Sequence, residues 1–516
     1  MIKKLFPGYT FWCFGIFILA SISPVHAYDG KIVSLFTPAA KETSTSGDAS
    51  VVFDNHEKVI INFAPLKDKS KKYRRVRLDF LGHSVTARRT KHRPGLQGST
   101  AWIGKPEGAA GAVILSVCGN VLFGRIEIES EIYIIEPVVG TDTHRIFKLN
   151  PDEAAHIDEG GLIPSEGKIP EDAPHESESL RASDDGSVFD VLVLYTDGFD
   201  GTYPGDALTA QINYLISVAN TAYSNSKVSL TARVVGTKKV NYKDGGDLSA
   251  ALDDLTNGNS VFSGVAALRD QLGADLVTLL RVFSSDNTSC GLAWQMTSLS
   301  NYFEKYAFSV VQVGRVSYGS GYRYCTDQSL AHEMGHNMGC DHEAANATLG
   351  LFSYSRGYCF YPYKSVMAYC ASKETQVSYF SNPDVSYSGL ATGTNDADNA
   401  RTINKSKLTI SQFRDSKSLC LGSLTAVPNK LALNKEGSGE ITVAVADETG
   451  SPSENATIKA SIATDGKKLI AVTPTTTTAN SSGLAVFTVV AGKKKGKTKI
   501  TLKSGCLKKS ITVSIQ

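Results

Sequence analysis

The sequence predicts a multidomain α+β chain: a mainly β first unit, an α/β unit carrying a long motif helix, and a C-terminal β-sandwich. Three observations carry this. The 516 residues exceed one ordinary core and fit three or four folding units. Short β-type runs separated by turn residues fill positions 28–164 and return in period two after residue 418, whereas strand-type and helix-type runs alternate between them. A polar stretch at 165–187, rich in proline, glutamate and serine, separates the first two units as an exposed linker.

The elements follow in order. Lys3 and Lys4 precede a short apolar run at 11–20, and Val25-His26-Ala27 has the small-x-small pattern of a cleavage site. Residues 1–27 are therefore expected to be a secretory signal, with the mature chain starting at Tyr28 and exported. Cys13 lies inside the apolar run, so no lipid anchor is expected there. No other segment is apolar and long enough to span a bilayer, so the chain does not read as an integral membrane protein. In the first unit, residues 28–164, strands are expected at 59–63, 76–80, 111–117 and 131–135. The central unit, residues 188–418, opens with a strand at 188–195 that is apolar on both faces apart from Asp190. A helix at 206–223 aligns Leu208, Ile212, Leu215, Ala219 and Ala222 on one side. Strands are expected at 228–240, 276–283 and 308–313. In the last unit, residues 419–516, strands at 440–445 and 485–490 alternate as in a small sandwich, and the threonine run at 475–478 reads as a loop.

Composition narrows the chemistry. A 42% hydrophobic, 20% charged chain of net charge +2 has the balance of a globular protein and no field that would recruit nucleic acid. Of nine cysteines, eight lie outside the signal segment, and export places them in an oxidising compartment. None forms a C-x-x-C pair. Cys290 and Cys325 flank the strand before the motif helix and are a candidate disulfide; Cys420 and Cys506, near the two ends of the last unit, are another. Cys340, Cys359 and Cys370 leave an odd one, and their pairing stays open.

The most informative stretch is His332-Glu333-Met334-Gly335-His336, followed by Gly339 and His342. On a helix, residues four apart share a face, so His332 and His336 approach one point. Gly339 tolerates the backbone conformation that ends the helix and turns the chain, which brings His342 round as a third ligand. Three neutral imidazoles leave a fourth position for water, the mark of a catalytic rather than a structural zinc site. Glu333 then lies beside the metal, placed to take a proton from water and pass it to a leaving amine. Thr326 or Asp327 is the expected cap of this helix. The competing reading is a surface helix with satisfied histidines.

Ser365-Val366-Met367-Ala368-Tyr369 lies downstream, and with it the chain resembles the metzincin metalloendopeptidases, whose long zinc motif is followed by a methionine turn. The resemblance implies one catalytic zinc on His332, His336 and His342, Met367 as an apolar floor beneath it, and peptide or protein substrates. Val191-Leu192-Val193-Leu194-Tyr195-Thr196 and the closing segment around Phe380-Ser381-Asn382-Pro383, Gly389, Gly393 and Ala397-Asp398-Asn399-Ala400-Arg401 resemble the reprolysin-like branch, and the first unit, around Trp102 and 124–137, resembles its propeptides. Residues 28–164 are thus expected to be a propeptide, 188–418 the metzincin zinc protease domain, and 419–516 an immunoglobulin-like sandwich. Two departures stand out: Glu343 follows the third histidine where reprolysins carry aspartate, and Tyr369 matches the astacin and serralysin pattern. Tyr369 is a candidate transition-state donor, weighed against a buried structural hydroxyl. Cys118, the one cysteine of the first unit, is a candidate latency ligand for the zinc, weighed against a plain strand cysteine. Arg181 marks a candidate maturation point.

Against the endopeptidase stand two other readings. One is a surface-binding protein or adhesin whose metal site is only structural; the lysines at 493–495, 497 and 499 then serve a cell-surface or polysaccharide ligand instead of a solvated hairpin. Glu333 argues against it, because a structural site needs no general base. The other is a peptidase of small peptides. The sequence leaves the natural substrate, any calcium site and the oligomeric state undecided.

Overall fold

The protein is described by a computed structural model that covers residues 32–39, 56–70, 72–154, 161–164, 185–287, 289–318, 321–370, 374–416, 423–446, 452–453, 456–504 and 507–516. The expected signal segment, Arg181 and the Cys420–Cys506 pair lie outside the described residues.

The first region is a ten-stranded sheet, antiparallel except for one short pair. Its strands run from Arg75–Phe80 through His83–Pro94, Thr100–Pro106, Gly111–Cys118, Val121–Ile128 and Glu131–Pro137 to Thr143–Lys148 and His56–Ile61. Residues 33–38 then pair with both outer strands, with Val33 opposite Val76 at one end and Phe36 opposite Ile61 at the other. A single segment thus closes the sheet on itself and removes the open edges that invite aggregation. The interior is apolar: Trp102, Val113, Leu115, Ile126 and Tyr133 share one core. Along Gly111–Cys118 the period is two, but both faces are buried. Val113, Leu115 and Val117 point inward, while Ile114 and Cys118 join a different core.

That second core belongs to the central region. Here the strands Thr231–Val240, Val188–Thr196, Leu276–Val282 and Phe308–Tyr318 run parallel, and the short strand Gly291–Ala293 closes the edge antiparallel. Gly321–Cys325 pairs with the far half of Phe308–Tyr318. The all-apolar strand at 188–196 is buried as parallel strands require. Its one charge, Asp190, is paired with Arg233 at 2.6 Å. The 20-residue helix Asp206–Asn225 lies between this sheet and the first one, buried along most of its length.

The motif helix differs from expectation. It spans only Ser329–Asn337, nine residues, rather than a long helix. Gly339, at φ +88°, ends it, and the loop to His342 follows at once. Its expected caps also differ: neither Thr326 nor Asp327 caps with its side chain, and Gln328 takes the cap position. Asp327 is engaged elsewhere, by Arg125 and the Tyr214 hydroxyl.

The last region holds a four-stranded and a five-stranded sheet around one core of Ile441, Val443, Phe487, Ile500, Leu502 and Val513. Thr476–Thr478, read from sequence as part of a loop, is a strand that pairs with Thr457–Ile462. Threonine is β-branched and suits a pleated edge, so the run's composition favoured this all along. Among the described residues, no helix is long and apolar enough to cross a membrane.

Candidate active site

The motif helix is buried on all sides. Asn337 fixes its last turn to the sheet, donating from Nδ2 to the carbonyls of Trp294 (2.9 Å) and Phe308 (3.1 Å). His332 and His336 leave the same face one turn apart, as their spacing requires. The turn at Gly339 is tied back by Cys340, whose N–H donates to the Gly335 carbonyl (2.9 Å). Asp341 then holds the next residue, accepting from the His342 N–H at 2.8 Å. Leu351 packs against Gly339, where an added Cβ would sit 2.5 Å from the leucine Cβ.

These constraints bring the three imidazoles to one point. The Nε2 atoms of His332 and His342 are 3.1 Å apart, those of His336 and His332 3.2 Å, and those of His342 and His336 3.1 Å. Two of the Nδ1 atoms face carbonyl oxygens and must donate: His332 to Val366 (3.0 Å), and His336 to Gln295 Oε1 (2.7 Å) and Cys340 (3.1 Å). That assigns their lone pairs to Nε2, so the contact between those two nitrogens is not a hydrogen bond. Burial pushes His332 down to about 4 and His342 down to about 2, and it holds His336 well below the usual imidazole range, with the neighbouring rings adding to the effect for His336 and His342. Neutral imidazoles aiming lone pairs at one point fit a bound divalent cation, and the carbonyl partners at Nδ1 are the orienting contacts such ligands carry. Among the described residues, the three form the single His/Cys/Asp/Glu group with metal-ligand spacing.

Around them lie the other expected residues. Glu333 is buried, its carboxyl against Gly291; an added Cβ there would be 2.5 Å from Oε1. Tyr369 stacks beside His332 and places its hydroxyl 2.7 Å from His342 Nε2 and 3.2 Å from His332 Nε2. Its backbone N–H donates to Glu343 Oε2 at 2.8 Å, so the glutamate that departs from the reprolysin pattern supports the tyrosine. Met367 is fully buried beneath the helix, its sulfur 2.6 Å from where a Cβ on Gly335 would be. Disulfides link Cys290 to Cys325 and Cys359 to Cys370, which settles the odd cysteine as Cys340, free and buried. The second bridge brackets the segment that carries Met367 and Tyr369.

Cys118 is not brought to the histidines. Its thiol faces Asp206 Oδ1 (3.6 Å) and the Gln97 carbonyl (3.9 Å), at the start of the long helix. Burial, and then the Asp206 charge, push it up to about 11, which disfavours the thiolate a metal needs. The sequence reading missed Gln295 and Gly291, and it named Gly335 only as part of the motif, without its contact with Met367. Each matters through a contact across the fold, and none carries a local signal beyond glycine itself.

Residues 185–381 match the Reprolysin_5 profile of metallopeptidase family M12. The chain is similar to peptidyl-Asp metalloendopeptidases: 25% identical to that of Stenotrophomonas maltophilia over 65% of this chain and 82% of the relative. It is 24% identical to that of Xanthomonas campestris over 64% of this chain and 80% of the relative. To that of Pseudomonas aeruginosa it is 30% identical over 44% of this chain and 40% of the relative.

Proposed function

We propose that this metalloendopeptidase, whose central region is a reprolysin-like domain of family M12, is a secreted zinc enzyme that hydrolyses extracellular proteins. The observation that carries the reading is the meeting of the His332, His336 and His342 Nε2 atoms beside the buried Glu333. Those three nitrogens would hold the zinc. When bound, the metal supplies a Lewis acid that acidifies water and polarises the scissile carbonyl. Glu333 takes the proton from the attacking water and returns it to the leaving amine. Tyr369, whose hydroxyl lies beside two of the ligands, donates a hydrogen bond to the charge developing on the carbonyl oxygen. Met367 and Val366 hold the ligands from below, the first by packing and the second through its carbonyl to His332.

The wider organisation belongs to the same reading. Residues 1–27 are the export signal, 28–164 a propeptide, 165–187 a linker, 188–418 the protease domain and 419–516 an immunoglobulin-like sandwich. The relatives' shared name makes aspartate at the scissile bond the first preference to examine. The test is a peptide library digested by the purified protein with and without chelator. Chelator-sensitive cleavage concentrated at aspartate supports the reading; cleavage that chelator leaves untouched overturns it.

A further inference from the structure

The C-terminal region sorts its charge by sheet. Its five-stranded sheet runs in the order Lys430–Leu433, Leu507–Ile515, Gly496–Ser504, Thr457–Ile462 and Thr476–Thr478. Its four-stranded sheet runs in the order Ser423–Val427, Ser438–Ala446, Leu484–Ala491 and Ile470–Thr473. In a strand, alternate side chains share a face. Ile500 and Leu502 point into the core, so Lys497, Lys499, Thr501 and Lys503 point out. Register carries that outer face across the sheet. Lys503 stands opposite Lys508 on one side and Lys459 on the other, which puts three lysines abreast. Two residues along each strand, Thr501 stands between Ser510 and Ser461. Two further on, Lys499 stands opposite Thr512, whose other neighbour is Lys430. Lys430, Lys459, Lys497, Lys499, Lys503 and Lys508 are all exposed.

No acid shares the face with them. Among the described side chains, the acidic residues of the region are Glu436 and Glu440. Glu436 lies between strands, 3.8 Å from Lys493, and Glu440 belongs to the four-stranded sheet, whose strands carry no lysine. A surface shaped only for solubility mixes both signs. Like charges directly opposite one another also destabilise a sheet, so the row of three costs stability that a bound polyanion would offset.

The rest of the face selects among polyanions. A row of hydroxyls, from Ser510, Thr501 and Ser461, separates the two lysine rows. No outward position on these strands is aromatic, the group on which single-stranded nucleic acid stacks its bases, and none is an arginine, which forks onto phosphate. Ala432 is the one exposed apolar side chain of the face, too little to enter a lipid layer.

We propose that this face binds a linear acidic polysaccharide, its ammonium groups meeting carboxylates and its hydroxyl row meeting sugar hydroxyls, and so holds the chain on a polyuronate matrix. Lys493, Lys494 and Lys495 lie in the turn before Gly496–Ser504 and are not part of the face.

The test is binding of polygalacturonate, a linear polyuronate, to the full chain in a Glu333→Ala background that prevents self-digestion. Neutral dextran, a DNA duplex and vesicles of anionic lipid are run beside it. Polygalacturonate is expected to bind more tightly than the other three, and less tightly as salt rises. Replacing Lys459, Lys503 and Lys508 together by glutamine is expected to weaken its binding about tenfold. That variant should unfold at the same or a higher denaturant concentration than the parent, which separates lost binding from lost fold. Replacing Lys493, Lys494 and Lys495 by glutamine makes the same change in net charge and is expected to weaken binding less than about threefold. No binding of polygalacturonate, tighter binding of dextran, DNA or vesicles, or an equal loss in the two variants would overturn the proposal.

Discussion

Two β regions of this chain solve the same problem differently. In the C-terminal strand Leu484–Ala491, exposed or half-buried positions alternate with buried ones, so one face meets the core and the other meets solvent. In the first region, all eight residues of Gly111–Cys118 are buried. The inward set fills the closed sheet, and the outward set packs on the helix Asp206–Asn225. Burial on both faces of an antiparallel strand means that its outer face has a partner. The first sheet and the central region are therefore built as one packed body, whereas the C-terminal sheets fold around a core of their own. Polar contacts agree: Ser116 Oγ donates to the Ala210 carbonyl (2.9 Å) and accepts from Asn213 Nδ2 (2.9 Å), tying sheet to helix.

The sharpest way to break this contrast is Arg125→Met. Burial alone would lower the Arg125 pKa, but Asp327 and Glu127 outweigh it and hold the guanidinium charged. Without it, Asp327 loses its cation, and the expected loss is about 3–5 kcal/mol, read as a lower denaturation midpoint of the first and central regions together. Leu502→Ala is its counterpart in the last region. It should cost about 2–5 kcal/mol in the unfolding of the C-terminal sheets and leave the peptidase rate unchanged. A drop in rate would show that the last region is coupled to the site after all. Gln295→Leu removes the nearer of the two acceptors that orient His336 Nδ1. Metal affinity should fall about 10–100-fold by competition with a chelator, with little change in stability.

The smallest expected effect is a pH effect that comes from one histidine of the first sheet. His144 accepts from the Leu122 N–H through Nε2 (3.0 Å), and burial pushes its pKa down to about 4. A base whose folded pKa lies below its unfolded value, about 6.5, contributes full stability above that value. The contribution falls as pH drops toward 4, by about 2 kcal/mol at pH 5. Urea unfolding of the first and central regions at pH 7 and pH 5 checks this, and His144→Gln should shrink the difference by about 2 kcal/mol.

Much of the site was legible because its logic is local. The i, i+4 histidines, the turning glycine and the third histidine lie within eleven positions, and the helix and its end follow from them. The helix's length was not legible. Thr326 or Asp327 reads as its cap, yet the chain turns out of the strand Gly321–Cys325 there and the helix begins only at Ser329. Asp327, a good cap by residue type, is drawn instead to Arg125, 202 positions away. Gln295 also acts only through a contact that exists once the edge strand is in place. Cys118 shows the reverse error, a residue type suited to a metal in a position that faces a carboxylate.

The central claim is a zinc-dependent, Glu333-dependent hydrolysis. Its most direct test is bound zinc and peptide cleavage in the purified chain beside Glu333→Ala. The account predicts one zinc in both proteins and a fall in cleavage of about 10²–10⁴-fold in the variant. Folded protein without zinc, or a variant that cleaves as fast as the parent, would contradict it.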